Sequence, residues 1–156
     1  MHQLNITYNK TSLRMNKTLF LLVALLMTFH AGAQILSDPQ EAFSIAAKSN
    51  KDVLLVFSGS DWCIPCMQFE KRILSDKNFG IFATQRLVVL KADFPQKKKI
   101  APSLKSQYEA LADVFNPSGN FPYIVLLSPD KKLLGNLTYE SQATTDFISE
   151  LEELIK

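Results

Sequence analysis

From residue 37 onward, apolar positions with helical spacing alternate with short unbroken apolar runs. Ser37-Asp38-Pro39 followed by Glu41 combines a capping side chain, a proline in the first turn and an acid at the positive helix end, which predicts a helix to about Ser49. Asp52-Val53-Leu54-Leu55-Val56-Phe57 is a continuous run of β-branched, aliphatic and aromatic residues that reads as a strand buried on both faces and ends at Ser58-Gly59-Ser60. From Cys63 the apolar residues Met67, Phe69, Ile73 and Leu74 approximate helical spacing, with Glu70, Lys71 and Arg72 between them. A second buried-strand pattern covers Leu87 to Asp93, and a helix over Ser103 to Phe115 carries Leu104, Tyr108, Leu111, Ala112 and Phe115 on one side.

The pattern then changes. Pro122 to Leu127 and Lys132 to Leu137 are strands joined by Ser128-Pro129-Asp130, which predicts an antiparallel hairpin. Thr144 to Ile155 is a final amphipathic helix with Phe147, Ile148, Leu151, Leu154 and Ile155 as its stripe. The predicted order is α-β-α-β-α-β-β-α, an α/β chain with a central mixed sheet and helices on both faces.

The first 33 residues do not fit this scheme. Lys17, the apolar run Leu19 to Met27 and the small-x-small triplet Ala31-Gly32-Ala33 read as a secretory signal, with Met15 the better start and cleavage expected after Ala33. The apolar stretch Thr18 to Phe29 is shorter than the roughly 20 residues that span a bilayer, which disfavours a membrane anchor. Residues 34–156 then form one domain, of a size for which a monomer is the default in the absence of heptads.

Removing the leader changes the available chemistry. His2 and His30 both lie in it, so the remaining domain has no histidine for Ser-His or Cys-His catalysis or for binding a transition metal. Lys10, Arg14 and Lys17 go with it, leaving 14 basic against 15 acidic residues, and a near-neutral domain argues against nucleic-acid binding. The run Lys97-Lys98-Lys99 is the local exception and reads as a solvated loop. Export would place the two cysteines in an oxidising compartment, periplasmic or extracellular.

Those cysteines stand in Trp62-Cys63-Ile64-Pro65-Cys66, after a buried strand and at the start of a helix. At a helix N-terminus the free N–H groups and the helix dipole favour a thiolate, the form that attacks disulfides, so Cys63 is the expected nucleophile. Cys66, one turn later on the same face, is the expected resolving thiol. Pro65 stiffens the first turn without needing an N–H donor, and Trp62 would shield the site or offer a substrate an apolar surface. Taken alone, Cys-x-x-Cys also serves as half of a zinc site or as a structural disulfide. The remaining domain lacks the two further thiolates or imidazoles that zinc requires, and a disulfide closing so small a loop stabilises little by loop entropy.

The order of buried strand, W-C-x-P-C, helix, strand, helix, aromatic-proline pair and hairpin resembles the thioredoxin superfamily over nearly all of Asp52 to Ile155, and Phe57 to Cys63 resembles its exported bacterial members more closely than cytoplasmic thioredoxin. The resemblance implies a thioredoxin-like fold and a redox-active disulfide at Cys63 and Cys66. It also implies a cis proline at Phe121-Pro122, whose neighbouring backbone pairs with an extended substrate. Protein disulfides or dithiols are the expected partners, an exported reductase must itself be re-reduced, which implies a membrane electron donor, and neither a cofactor nor a bound metal is expected. The chain departs from the thioredoxin pattern at Leu55-Val56-Phe57, where thioredoxin carries a buried acid. Asp61 and Lys91 are the charged residues nearest to that role, and the usual distribution of charge makes both surface groups. Pro65 leans the expectation toward a reductase or interchange enzyme over a strong oxidant. A polypeptide-binding or soft-metal-handling module with little redox turnover is the alternative.

Overall fold

The computed structural model describes residues 34–155, so the expected leader and its cleavage point lie outside the described residues. The elements are β1 (Ile35–Leu36), α1 (Pro39–Ser49), β2 (Asp52–Ser58), α2 (Ile64–Phe69) running into a π-helical turn (Glu70–Leu74), α3 (Lys77–Arg86), β3 (Leu87–Asp93), α4 (Pro102–Phe115), β4 (Tyr123–Leu127), β5 (Leu133–Leu137) and α5 (Thr144–Leu154). One five-stranded sheet has the order β1-β3-β2-β4-β5. β1 and β2 run parallel to β3, while β4 is antiparallel to both β2 and β5. Among the described residues no helix is long and apolar enough to cross a membrane.

β2 is the central strand, which is why its sequence lacks the apolar–polar alternation of a half-exposed strand. It divides its side chains between two cores. Leu54 and Val56 enter one with Phe69, Ile73, Phe79, Phe147 and Leu151, from the π-turn side and from α2, α3 and α5. Val53, Leu55 and Phe57 enter the other with Ala42, Phe43, Ala46 and Tyr108, from α1 and α4. The mixed sheet with helices on both faces is the architecture that the hydrophobic pattern predicts.

The cap of α1 forms as its residues demand: Asp38 Oδ1 accepts the Glu41 N–H at 2.9 Å, and Asn50 ends the helix in the left-handed region at φ 52°. Two elements were not expected from the pattern. β1 is only two residues long. α3 is capped by Asp76, whose Oδ1 accepts the N–H groups of Asn78 and Phe79 at 2.7 and 3.2 Å, and it buries Phe79 and Ala83, one turn apart. Ser75 donates its N–H to Glu70 O at 2.9 Å, five residues back, so the helix after the cysteines takes in one extra residue. That explains why its apolar residues only approximate a 3.6-residue period. It also corrects one expectation, since Phe69, Ile73 and Leu74 are buried while Met67 faces solvent.

Tyr108 joins α4 to the strand side of the molecule by donating its hydroxyl to Ser37 O at 2.7 Å. Burial first, then the negative charges of Asp93 and Asp38, pushes its phenol up to about 12. A folded-state pKa above the unfolded value gives stability that is complete below about pH 10 and lost as pH rises toward 12. Tyr108→Phe is therefore expected to lower stability by about 1 kcal/mol at neutral pH. That difference from wild type should shrink between about pH 10 and 12, as read by urea unfolding across the range.

Candidate active site

The site forms where β2 ends. Ser58 closes the strand, Gly59 O accepts the Cys63 N–H at 2.9 Å, and Cys63 becomes the N-cap of α2. Cys63 and Cys66 are joined in a disulfide with their Cα atoms 5.2 Å apart. The Cys66 N–H lies 3.2 Å from Cys63 Sγ and donates to it, so the free N–H of the first helical turn points at that sulfur, an arrangement that favours negative charge there. Both cysteines are buried, whereas Ile64, Pro65 and Met67 around them are exposed.

An aromatic chain lies beside the disulfide loop. Trp62 meets Phe121 edge-on at 5.3 Å, Phe121 meets Phe94 at 5.7 Å, and Phe94 meets Tyr108 at 5.8 Å. Trp62 is 37% exposed, and its Nε1–H donates to Phe94 O at 2.7 Å. The Phe121-Pro122 peptide bond is cis, and both residues are half-buried. Trp62 and Phe121 are thus in contact, with Phe121 held between Trp62 and Phe94. Asn116, buried at the end of α4, holds the preceding loop closed: it donates Nδ2–H to Asn120 O at 2.9 Å and accepts the Asn120 N–H at 3.0 Å.

Gly59 makes the position of the Trp62 ring possible. A Cβ there would lie 2.6 Å from Trp62 Nε1 and Cζ2, well inside contact distance. Gly59→Ala is expected to swing the indole out, breaking the bond to Phe94 at a cost of about 1 kcal/mol. Trp62 is the only tryptophan in the chain, so a red-shifted emission spectrum would report that displacement directly.

Charged residues tie the motif loop to the segment after β3. Asp61 accepts the N–H groups of Gln96, Lys97 and Lys98 at 2.9, 2.8 and 3.2 Å. The Gln96 N–H above all holds its carboxyl below the usual carboxylate range, with further help from Lys97 and Lys98. Asp93 accepts the N–H and hydroxyl of Ser60 at 2.8 and 2.6 Å. Asp61 is therefore a loop clamp. Lys91 is not the surface charge expected from sequence: its side chain is 20% exposed and pairs at 3.1 Å with Glu70, in the turn that follows Cys66. Leu55, Val56 and Phe57, the stretch of β2 without a carboxylate, are all buried among apolar neighbours.

A Cys-x-x-Cys disulfide at a helix N-terminus on this sheet defines a thiol–disulfide oxidoreductase of the thioredoxin fold. The chain belongs to the thioredoxin-like family, whose model matches residues 34–129. It is similar to the disulfide bond reductase DsbH of Chlamydia pneumoniae, 28% identical over 116 residues that cover 74% of this chain and 69% of that protein. It also resembles the thioredoxin-related protein DsbJ of Chlamydia pneumoniae, 27% identical over 95 residues, covering 61% of this chain but only 27% of that protein. A solved DsbH oxidoreductase structure superposes with a TM-score of 0.73 at 25% identity, covering 80% of this chain and 87% of the other.

Proposed function

We propose that the protein is an exported disulfide reductase in which Cys63 attacks and Cys66 resolves. The Cys63 thiolate attacks one sulfur of a substrate disulfide, forming a mixed disulfide and expelling the first substrate thiolate. The Cys66 thiolate then attacks Cys63 Sγ, restoring the Cys63–Cys66 disulfide and releasing the second substrate thiolate. Two electrons pass to the substrate, and the two protons that the released substrate thiolates take up balance the two that Cys63 and Cys66 give up on ionising. The observation that carries this assignment is the Cys66 N–H directed at Cys63 Sγ, which stabilises charge on the first sulfur and not on the second.

Trp62, Pro65, Phe121 and Pro122 supply the substrate surface in this reading, and the partners are protein disulfides. A reductase must be re-reduced, so outside the cytoplasm it draws electrons from a membrane donor, and it works as a monomer. Export is supported by the leader-like residues 15–33. The reductive direction is supported by the retained Pro65 and by the likeness to a protein named as a disulfide bond reductase.

The deciding experiment equilibrates the Cys63–Cys66 pair in a thiol redox buffer. A potential more negative than about −200 mV, toward the thioredoxin value of about −270 mV, is the expected result. A value near the roughly −120 mV of a strong oxidant would reverse the proposed direction.

A further inference from the structure

The three consecutive lysines Lys97, Lys98 and Lys99 are exposed, and nothing in the exchange chemistry uses them. Their place in the fold is set by Asp61, which stands two residues before Cys63 and whose carboxylate accepts the backbone N–H groups of Gln96, Lys97 and Lys98. The Trp62 bond to Phe94 O and the Ser60 bonds to Asp93 fasten the same two segments at adjacent points. Because residues two apart lie at most about 7 Å from each other along the chain, this clamp holds the lysine loop beside the disulfide.

The clamp engages the nearby carboxylates without removing their charge, and the Lys97 charge adds to the N–H bonds that hold the Asp61 carboxyl below the usual range. Asp61 and Asp93 turn their oxygens onto loop N–H groups and a hydroxyl, and neither reaches a lysine head group as an ion pair. Among the described residues none of Lys97, Lys98 and Lys99 lies within ion-pair distance of a carboxylate, whereas nearby Lys105 pairs with Glu109 at 3.5 Å. Phe94, Pro95 and Ile100 line a surface cavity of about 280 Å³ together with Lys98, Lys99 and Lys105, giving the patch an apolar floor and a cationic rim. Outside these three lysines residues 34–156 carry 11 basic against 15 acidic residues, so a partner within about 10 Å at 0.1 M salt meets the lysine head groups as a local positive feature on a domain that is otherwise acidic.

We propose that this loop selects substrates by binding an acidic polypeptide segment next to the disulfide being reduced, which rests on the oxidoreductase reading and adds a substrate class to it. The exposed apolar residues Trp62 and Ile64 meet the residues around the substrate cysteine, while the lysines meet carboxylates a few residues along.

The test compares two disulfide peptides of identical core, one with a triglutamate and one with a trilysine flank, and uses a small neutral disulfide to read the chemistry alone. The acidic peptide is expected to have a kcat/KM about tenfold higher than the basic one at about 0.01 M salt, falling toward parity at about 1 M. A Lys97→Glu, Lys98→Glu, Lys99→Glu variant should reverse the ratio, which is insensitive to any general change in rate. Equal kcat/KM for the two peptides in wild-type protein that reduces the neutral disulfide would overturn the acidic-substrate proposal and leave the oxidoreductase reading intact. Failure to reduce the neutral disulfide would remove both.

Discussion

Cys63→Ser is expected to abolish disulfide reduction, with turnover falling by at least about 1000-fold, the scale on which enzymes respond to removal of their nucleophile. A serine hydroxyl at the N-cap would still accept the Cys66 N–H, so the helix start should survive and the loss would be chemical. Cys66→Ser separates the two sulfurs. It keeps an attacking thiolate at Cys63 but removes the group that resolves the mixed disulfide, so one equivalent of substrate should accumulate covalently on Cys63, visible by mass spectrometry. Multiple turnovers by Cys66→Ser, or a covalent adduct on Cys66 in the Cys63→Ser protein, would reverse the assigned roles.

Phe69→Ala is expected to cost 3–5 kcal/mol, about the range for deleting a buried aromatic ring and a large part of a typical domain's total of roughly 5–15. Phe69 is 1% exposed and packs edge-on against Tyr139 at 5.2 Å and Phe147 at 5.3 Å, so it ties the cysteine-bearing helix to α5 and to the segment after β5. Removing the ring leaves a cavity on one face of the central sheet, and the helix that presents Cys63 loses its anchor. Met67→Ala, two residues earlier and exposed, should change stability by no more than about 0.5 kcal/mol. Urea unfolding of the oxidised proteins measures both. Equal losses for the two variants would mean that the helix sits in the rotation its simple spacing suggests, without the π-helical turn.

Much of the fold was legible because its determinants are local. Asp38, Pro39 and Glu41 specify a helix start within four residues, and Ser128 to Lys132 close a turn between two strands whose own composition marks them. α3 was less visible: Gly80 and Thr84 are poor helix formers, and Ile81 and Phe82 blur the Phe79–Ala83 stripe. Asp76 followed by Phe79 was the signal that could have found it. β1, with two residues, carries no readable period, and exists because β3 offers it an edge.

The site divides in the same way. The sequence by itself determined the cysteine pair, its place after a buried strand and at a helix start, and the central sheet that carries it, because periodicity, capping and turn chemistry act over a few residues. Only the tertiary structure decided that Asp61 clamps the lysine loop, that Lys91 pairs with Glu70, that Trp62 rests on Phe121 over Gly59, and that Met67 faces outward. Most of these contacts join residues 20 to 60 positions apart in the chain, and all depend on helix rotation and loop closure. Those are set by packing the whole domain, which no local pattern encodes.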